Sequence, residues 1–126
     1  MPRADLVVAP ALWYRRATSP ALRKRPVWRF SMFLLLGRYT RPLDEVDPHR
    51  DGHMAWVQEH AGAGHFLAGA LEEGGVGGAI FAKADSRDEV EAWIAADPFV
   101  INDVFAYDVR EYTIAFATPG VEGLQD

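Results

Sequence analysis

The clearest helix signal in the chain is residues 85–100, DSRDEVEAWIAADPFV. Ser86 is followed three residues later by Glu89, a capping-box pattern in which the two side chains satisfy free amide donors at the start of a helix. Apolar residues then recur at Val90 and at positions 93 and 94, which predicts one face packed against a core. These sixteen residues therefore predict an amphipathic helix.

The end of this helix raises a question about Asp97. Pro98 is expected to end the helix, because the residue before a proline is pushed out of helical conformation. Asp97 then lies at a helix C-terminus, where exposed carbonyls make a carboxylate electrostatically unfavourable. The position suggests that Asp97 has a partner elsewhere in the chain.

Composition indicates one globular domain. The chain has 126 residues, of which 49% are hydrophobic and 25% charged, enough for a core. It contains no cysteine, which excludes disulfides and thiolate chemistry.

Charge is distributed unevenly along the chain. Residues 1–31 contain seven Lys and Arg and one acidic residue, a net charge of +6. Residues 32–126 contain six Lys and Arg and seventeen acidic residues, a net charge of −11. A domain this acidic lacks the basic surface that nucleic acid requires. The longest apolar run, residues 32–36, is too short to span a bilayer. We expect neither nucleic acid nor a membrane as partner.

Three regions are predicted. Residues 1–31 form a basic, flexible extension, whose composition resembles a transit peptide, or an upstream start assigned ahead of Met32. The apolar patch at 6–11 lacks the length and cleavage pattern of a secretory signal, and we expect a cytoplasmic protein. Residues 32–117 form the folded domain, and residues 118–126 a C-terminal tail.

The predicted elements alternate between strands and helices. They are a strand at 33–39, a linker at 40–46, a helix from an Asp47-Pro48 N-terminus to about Gly64, a strand at 65–71, a turn at 72–75, a strand at 76–84, the helix after Ser86 and a strand at 104–116. This order is that of an α+β, ferredoxin-like βαββαβ fold. Right-handed crossovers place both helices on one face of a four-stranded antiparallel sheet.

The topology brings His53 and Asp97 to one end of the sheet. The first helix begins at the end where the second helix finishes, and His53 lies near that beginning. An imidazole oriented by a carboxylate is a common base-and-orienter pair.

Several short segments resemble the YCII-related family. They are Arg50-Asp-Gly-His53, Gly64-His-Phe-Leu-Ala-Gly69, Gly78-Ala-Ile-Phe81, and the stretch from Ser86 to Asp97-Pro98-Phe99, in order over about residues 32–116. One difference is that Gly69 is followed by Ala70-Leu71, where the family often has Gly-Pro and a longer loop. We therefore expect the mouth of the cleft to differ.

The resemblance implies a dimeric α/β barrel, with a His and an Asp as proposed catalytic pair. By resemblance these are His53 and Asp97, with Arg50 and Ser86 binding substrate. The implied function is proton transfer on a small, anionic ring compound, by elimination, isomerisation or lactone chemistry, in a homodimer that needs no cofactor.

Structural interpretations of the same residues stay open. His53 can be a packed or surface histidine, Asp97 a helix stop, and Arg50 a solvated residue of the first turn. His49 and His53 have the spacing of two metal ligands, but no metal-site motif follows, and no metal is expected. The alternative function is a non-catalytic module that binds a small molecule or a partner.

Overall fold

A computed structural model of the protein describes residues 31–120 and the backbone of Val7–Val8. The predicted basic extension and C-terminal tail therefore lie mostly outside the described residues. Among the described residues, no helix is long and apolar enough to cross a bilayer.

The described chain alternates between strands and helices as the sequence predicts. In chain order the elements are β1 (Val7–Val8), β2 (Ser31–Tyr39), α1 (Leu43–Val46), a 3-10 turn (Asp47–His49), α2 (Arg50–Gly62), β3 (Phe66–Leu71), β4 (Gly77–Ala84), α3 (Arg87–Ala95), α4 (Pro98–Ile101), β5 (Phe105–Tyr112) and β6 (Phe116–Ala117).

Four strands form the main sheet, in the order β3-β4-β2-β5, and all neighbours are antiparallel. In the central strand, Leu35 lies opposite Ile80 of β4 and Val109 of β5. These three residues belong to or pack against the main core, so this register fixes the sheet face that the helices cover. The predicted ferredoxin-like α+β fold is confirmed.

Two segments differ from the predicted elements. Residues 43–46 of the expected linker form α1, which buries Val46 completely. The last predicted strand is interrupted after Tyr112, and Phe116–Ala117 instead pairs with Val7–Val8 in a separate two-stranded ladder.

The two Asp-Pro pairs differ from their predicted roles, in which Asp47 begins a helix and Asp97 ends one. The helix predicted to begin at Asp47-Pro48 begins instead at Arg50, as α2, and has no side-chain cap, while Asp47 accepts hydrogen bonds from the Arg50 guanidinium. Asp97, which the sequence pattern placed at the C-terminal end of a helix, instead caps the start of α4, because its Oδ1 accepts from the Phe99 amide at 3.0 Å. A buried carboxylate uses the nearest amide, whereas the exposed Asp47 pairs with a neighbouring cation.

The predicted start of α3 is confirmed. Ser86 Oγ accepts a hydrogen bond from the Glu89 amide at 3.2 Å. The Glu89 carboxylate in turn accepts from the Asp85 amide at 3.4 Å, one residue earlier than in an ideal capping box.

The core has two parts. The larger cluster lies between the sheet and the long helices α2 and α3, around Phe33, Leu35 and Trp56. Trp56 joins the two helices, since its indole N–H donates to the Trp93 carbonyl at 2.9 Å. The smaller cluster, Val46, Phe99, Val104 and Phe105, fills the end of the sheet where α2 begins and α3 ends. That end contains the candidate site.

A glycine in the central strand makes room for the smaller cluster. The Phe105 ring lies over Gly37, and a Cβ built there would be 2.0 Å from the ring. Any larger residue at this position would displace the ring, because its Cβ would overlap the ring edge.

A pair of histidines joins the end of α2 to β3. His60 Nδ1 and His65 Nδ1 are 2.9 Å apart, and the His65 ring stacks on Trp93 with centroids separated by 4.1 Å. One nitrogen must donate and the other accept, so a proton on both would break the bond. Neither histidine lines the cavity described next.

Candidate active site

A cavity of about 480 Å³ opens between α2 and the sheet. Its walls are largely hydrocarbon, and three glycines of the β3–β4 hairpin, Gly69, Gly77 and Gly78, expose backbone to it. Ala70 and Leu71, where the sequence departs from the family pattern, also line it. Four side chains with polar ends reach the cavity: Tyr39, Arg50, His53 and Tyr107.

The structure brings His53 and Asp97 together. His53 Nδ1 lies 2.9 Å from Asp97 Oδ1, although the two residues are 44 positions apart. Asp97 is fully buried, and the His53 side chain is 14% exposed. An imidazole at the edge of a cavity is thus joined to a carboxylate that water does not reach.

Asp97 accepts two further hydrogen bonds. The Phe99 amide donates to Oδ1 at 3.0 Å, and the Tyr107 hydroxyl donates to Oδ2 at 2.6 Å. Three donors from three elements stabilise the buried negative charge, which otherwise would be costly. They also hold the carboxylate in one orientation.

This arrangement selects the tautomer of His53. A carboxylate only accepts hydrogen bonds, so Nδ1 must carry the proton. In the neutral imidazole the lone pair is then on Nε2, and the ring lines the cavity. The imidazole is held in place from one face by Phe99, with centroids 4.0 Å apart and planes within 6°.

Gly52 allows α2 to approach Asp97 closely. A Cβ at this position would be 3.3 Å from Pro98 Cγ and 3.4 Å from its Cβ. The absence of a side chain lets the first turn of α2 pack on the Asp97-Pro98 corner. This corner carries Asp97, the partner of His53.

Tyr107 remains a hydrogen-bond donor over the whole physiological pH range. Burial raises the pKa of its phenol well above the ordinary value, and the negative charge of Asp97 raises it further. The sequence pattern places Tyr107 only within the strand predicted at 104–116. A partner 10 positions away on another element leaves no local signal in a sequence.

Arg50 reaches the cavity but already has partners in the protein. Its Nη2 is 3.0 Å from Asp47 Oδ1, and its Nη1 donates to the Tyr39 hydroxyl at 3.4 Å. These bonds, with that to Tyr39 first, raise the pKa of the guanidinium. The charge of Arg50 is therefore partly balanced by Asp47.

The structure does not bring Ser86 to this cavity. Its hydroxyl caps α3 at the end opposite Asp97, and Ser86 is not among the lining residues. Within residues 31–120, no group of three or more His, Asp or Glu side chains is placed to hold a metal ion.

The geometry above lies inside residues 32–113, which match the YCII-related domain. This chain belongs to the YCII-related family. Comparison with curated protein sequences gave no significant match.

A solved structure shares the fold of this YCII-related chain. It is 5-chloro-2-hydroxyhydroquinone dehydrochlorinase (TftG) from Burkholderia phenoliruptrix AC1100, in complex with 2,5-dihydroxybenzoquinone. The two chains are 24% identical, with a TM-score of 0.55, and the match covers 65% of this chain and 93% of the other. The likeness supports the same architecture.

Proposed function

We propose that this YCII-related protein is a small enzyme in which His53 transfers a proton to and from a small, anionic ring compound. The observation that carries the proposal is the bonding of Asp97, which accepts from His53, Phe99 and Tyr107 and leaves Nε2 of His53 as a base beside an apolar cavity. The name of TftG, a dehydrochlorinase, supports ring chemistry in this fold.

The proposed roles follow from the geometry. His53 Nε2 takes a proton from a ring carbon, and Asp97 fixes its tautomer and stabilises the imidazolium that forms. In an elimination, the C–H electron pair becomes a ring double bond and chloride leaves with its bonding pair. In an isomerisation, the same imidazolium returns the proton to another carbon. Arg50 supplies positive charge at the cavity.

The test is turnover by matched histidine variants. Chlorinated hydroquinones would be assayed for chloride release, and unsaturated ring lactones for deuterium uptake from D₂O. We expect His53→Gln to lower the rate by roughly 100-fold or more, the usual contribution of a general base. His49→Gln, at the N-cap of the same helix, is the control and should keep most of the activity.

The roles would be wrong if His53→Gln turned over a substrate at the wild-type rate. Ring compounds that bind in the cavity without any turnover would instead favour the alternative, a small-molecule-binding module. Ser86 stays in the proposal only as a candidate contact, to be tested by Ser86→Ala in the same assay.

We also propose a homodimer. Leu34, Leu36 and Phe81 lie on the sheet face opposite the core and are only partly buried. A second copy packed on this face would remove its apolar surface from water. Sedimentation velocity at micromolar concentration tests this, and a purely monomeric protein would contradict it.

A further inference from the structure

Two tyrosines line the cavity, and their hydroxyl groups are bonded differently. The Tyr107 hydroxyl gives its proton to Asp97. The Tyr39 hydroxyl instead accepts a bond from Arg50 Nη1. Among residues 31–120, no acceptor takes the proton of Tyr39. Tyr39 therefore has a donor available for a ligand, whereas the proton of Tyr107 is already used inside the protein.

Arg50 strengthens this donor. A cation that donates to a phenol oxygen draws electron density from it and makes its O–H a better donor. The guanidinium also lies beside the Tyr39 ring, with Cζ 5.9 Å from the centroid. Because Asp47 already binds Nε and Nη2 of Arg50, the guanidinium is better placed to act through Tyr39 than as a free anchor for a full anionic charge.

Tyr39 and His53 line the same cavity and share two aromatic neighbours. The centroid of the Phe99 ring lies 6.2 Å from that of Tyr39 and 4.0 Å from that of His53. The centroid of the Phe105 ring lies 5.2 Å from that of Tyr39 and 6.1 Å from that of His53. The remaining wall offers hydrocarbon and glycine backbone. A polar atom of a ligand therefore has few other partners in the cavity.

We infer that Tyr39, held by Arg50, binds the ring oxygen on which negative charge develops during the reaction. The inference rests on the proposed function and names its substrate class, a ring with a carbonyl or phenolic oxygen. When His53 Nε2 takes the proton from the carbon beside a carbonyl, the C–H pair forms a C=C bond and the carbonyl π pair moves to oxygen. Tyr39 donates a hydrogen bond to that enolate oxygen and keeps its proton. Arg50 is a positioning residue.

The test measures binding of 4-nitrophenolate, whose charged oxygen resembles the enolate, with nitrobenzene as the matched ring without it. Tyr39→Phe keeps the aromatic packing and removes the hydroxyl, which is both the proposed donor to the ligand and the acceptor of the Arg50 bond. We expect this substitution to weaken the binding of 4-nitrophenolate roughly 10- to 100-fold, which is the effect of a hydrogen bond to a charged group. The affinity for nitrobenzene should not change. Tyr112→Phe, on an exposed tyrosine outside the cavity, is the control and should change neither affinity.

A double-mutant cycle tests the role of Arg50. Arg50→Met should weaken the binding of 4-nitrophenolate when it is made in the wild-type protein. The same substitution should weaken binding much less in the Tyr39→Phe protein, since the two residues act as one unit. Equal effects in both backgrounds would show that Arg50 binds independently of Tyr39, which overturns its positioning role.

Three results would overturn the assignment of Tyr39. They are an unchanged affinity of Tyr39→Phe for 4-nitrophenolate, an equal loss for both ligands, and a wild type that binds 4-nitrophenolate no better than nitrobenzene. The outcome is independent of the His53→Gln rates. Loss of binding in Tyr39→Phe beside unchanged turnover in His53→Gln would leave an oxygen-binding cavity without the proposed proton transfer.

Discussion

Tyr107→Phe isolates the contribution of one hydrogen bond to the buried carboxylate. The hydroxyl lies 2.6 Å from Asp97 Oδ2, and Asp97 has no exposed surface. Phenylalanine keeps the ring but leaves Oδ2 without this donor, in a place where water cannot substitute. A hydrogen bond to a charged group contributes about 1.5–3 kcal/mol, so we expect the free energy of unfolding to fall by about 2 kcal/mol.

Urea unfolding followed by circular dichroism measures this change. With a slope of about 2 kcal/mol per molar urea, the midpoint should fall by about 1 M. Tyr112→Phe removes a hydroxyl from the same strand at a residue that is 46% exposed. This control should shift the free energy by less than about 0.5 kcal/mol.

The same variant should alter the response to alkali. Because the pKa of Tyr107 is raised in the folded state, the folded protein keeps a proton that the unfolded chain loses above about pH 10. Wild-type stability should therefore fall as the pH rises past that value. Tyr107→Phe lacks this loss, so the difference between the two proteins should narrow.

Equal urea midpoints for Tyr107→Phe and Tyr112→Phe would refute the reasoning. They would mean that the carboxylate does not depend on the phenol. The assigned role of Tyr107 in fixing the orientation of Asp97 would then lose its support.

Two further predictions concern His60 and Gly52. Burial, with the nearby His65, lowers the pKa of His60, so below about pH 6.5 the unfolded chain binds a proton that the folded state excludes. The urea midpoint of the wild-type protein should fall as the pH is lowered from about 7.5 to about 5.5, and it should fall less in His60→Gln. An equal change of midpoint with pH in both proteins would contradict this. Alanine in place of a helical glycine usually raises the free energy of unfolding by about 1 kcal/mol. Gly52→Ala should lack this gain, because its Cβ would lie 3.3 Å from Pro98 Cγ, and it should shift the NMR signals of the His53 ring. Gly62→Ala, whose Cβ meets nothing within 4 Å, should stabilise by about 0.5–1 kcal/mol, and equal gains at both positions would show that the Pro98 contact is not tight.

The sequence was informative where the signals are local or topological. The capping box at Ser86 predicted the start of α3 to the residue, and the order of elements predicted the sheet. The proximity of His53 and Asp97 followed from the direction of two helices, since chain direction alone decides which helix ends meet.

Partners formed between distant elements could not be predicted in this way. Nothing near Tyr107 in the sequence distinguishes it from a core tyrosine, and the stacking of Phe99 on His53 depends on packing. The cap formed by Asp97 has a local signal in the Asp-Pro pair, but the same pair at Asp47 begins a 3-10 turn without a side-chain cap. Which aspartate caps a helix depends on burial, and burial is set by the folded whole.

The carboxylate of Asp97 accepts hydrogen bonds from residues of α2, α4 and β5. β5 is the last strand of the main sheet to be synthesised, and it docks against the first, β2. Until that strand is in place, Asp97 lacks the hydrogen bond from Tyr107. The order of synthesis therefore postpones the full set of hydrogen bonds to Asp97 until the final strand has folded.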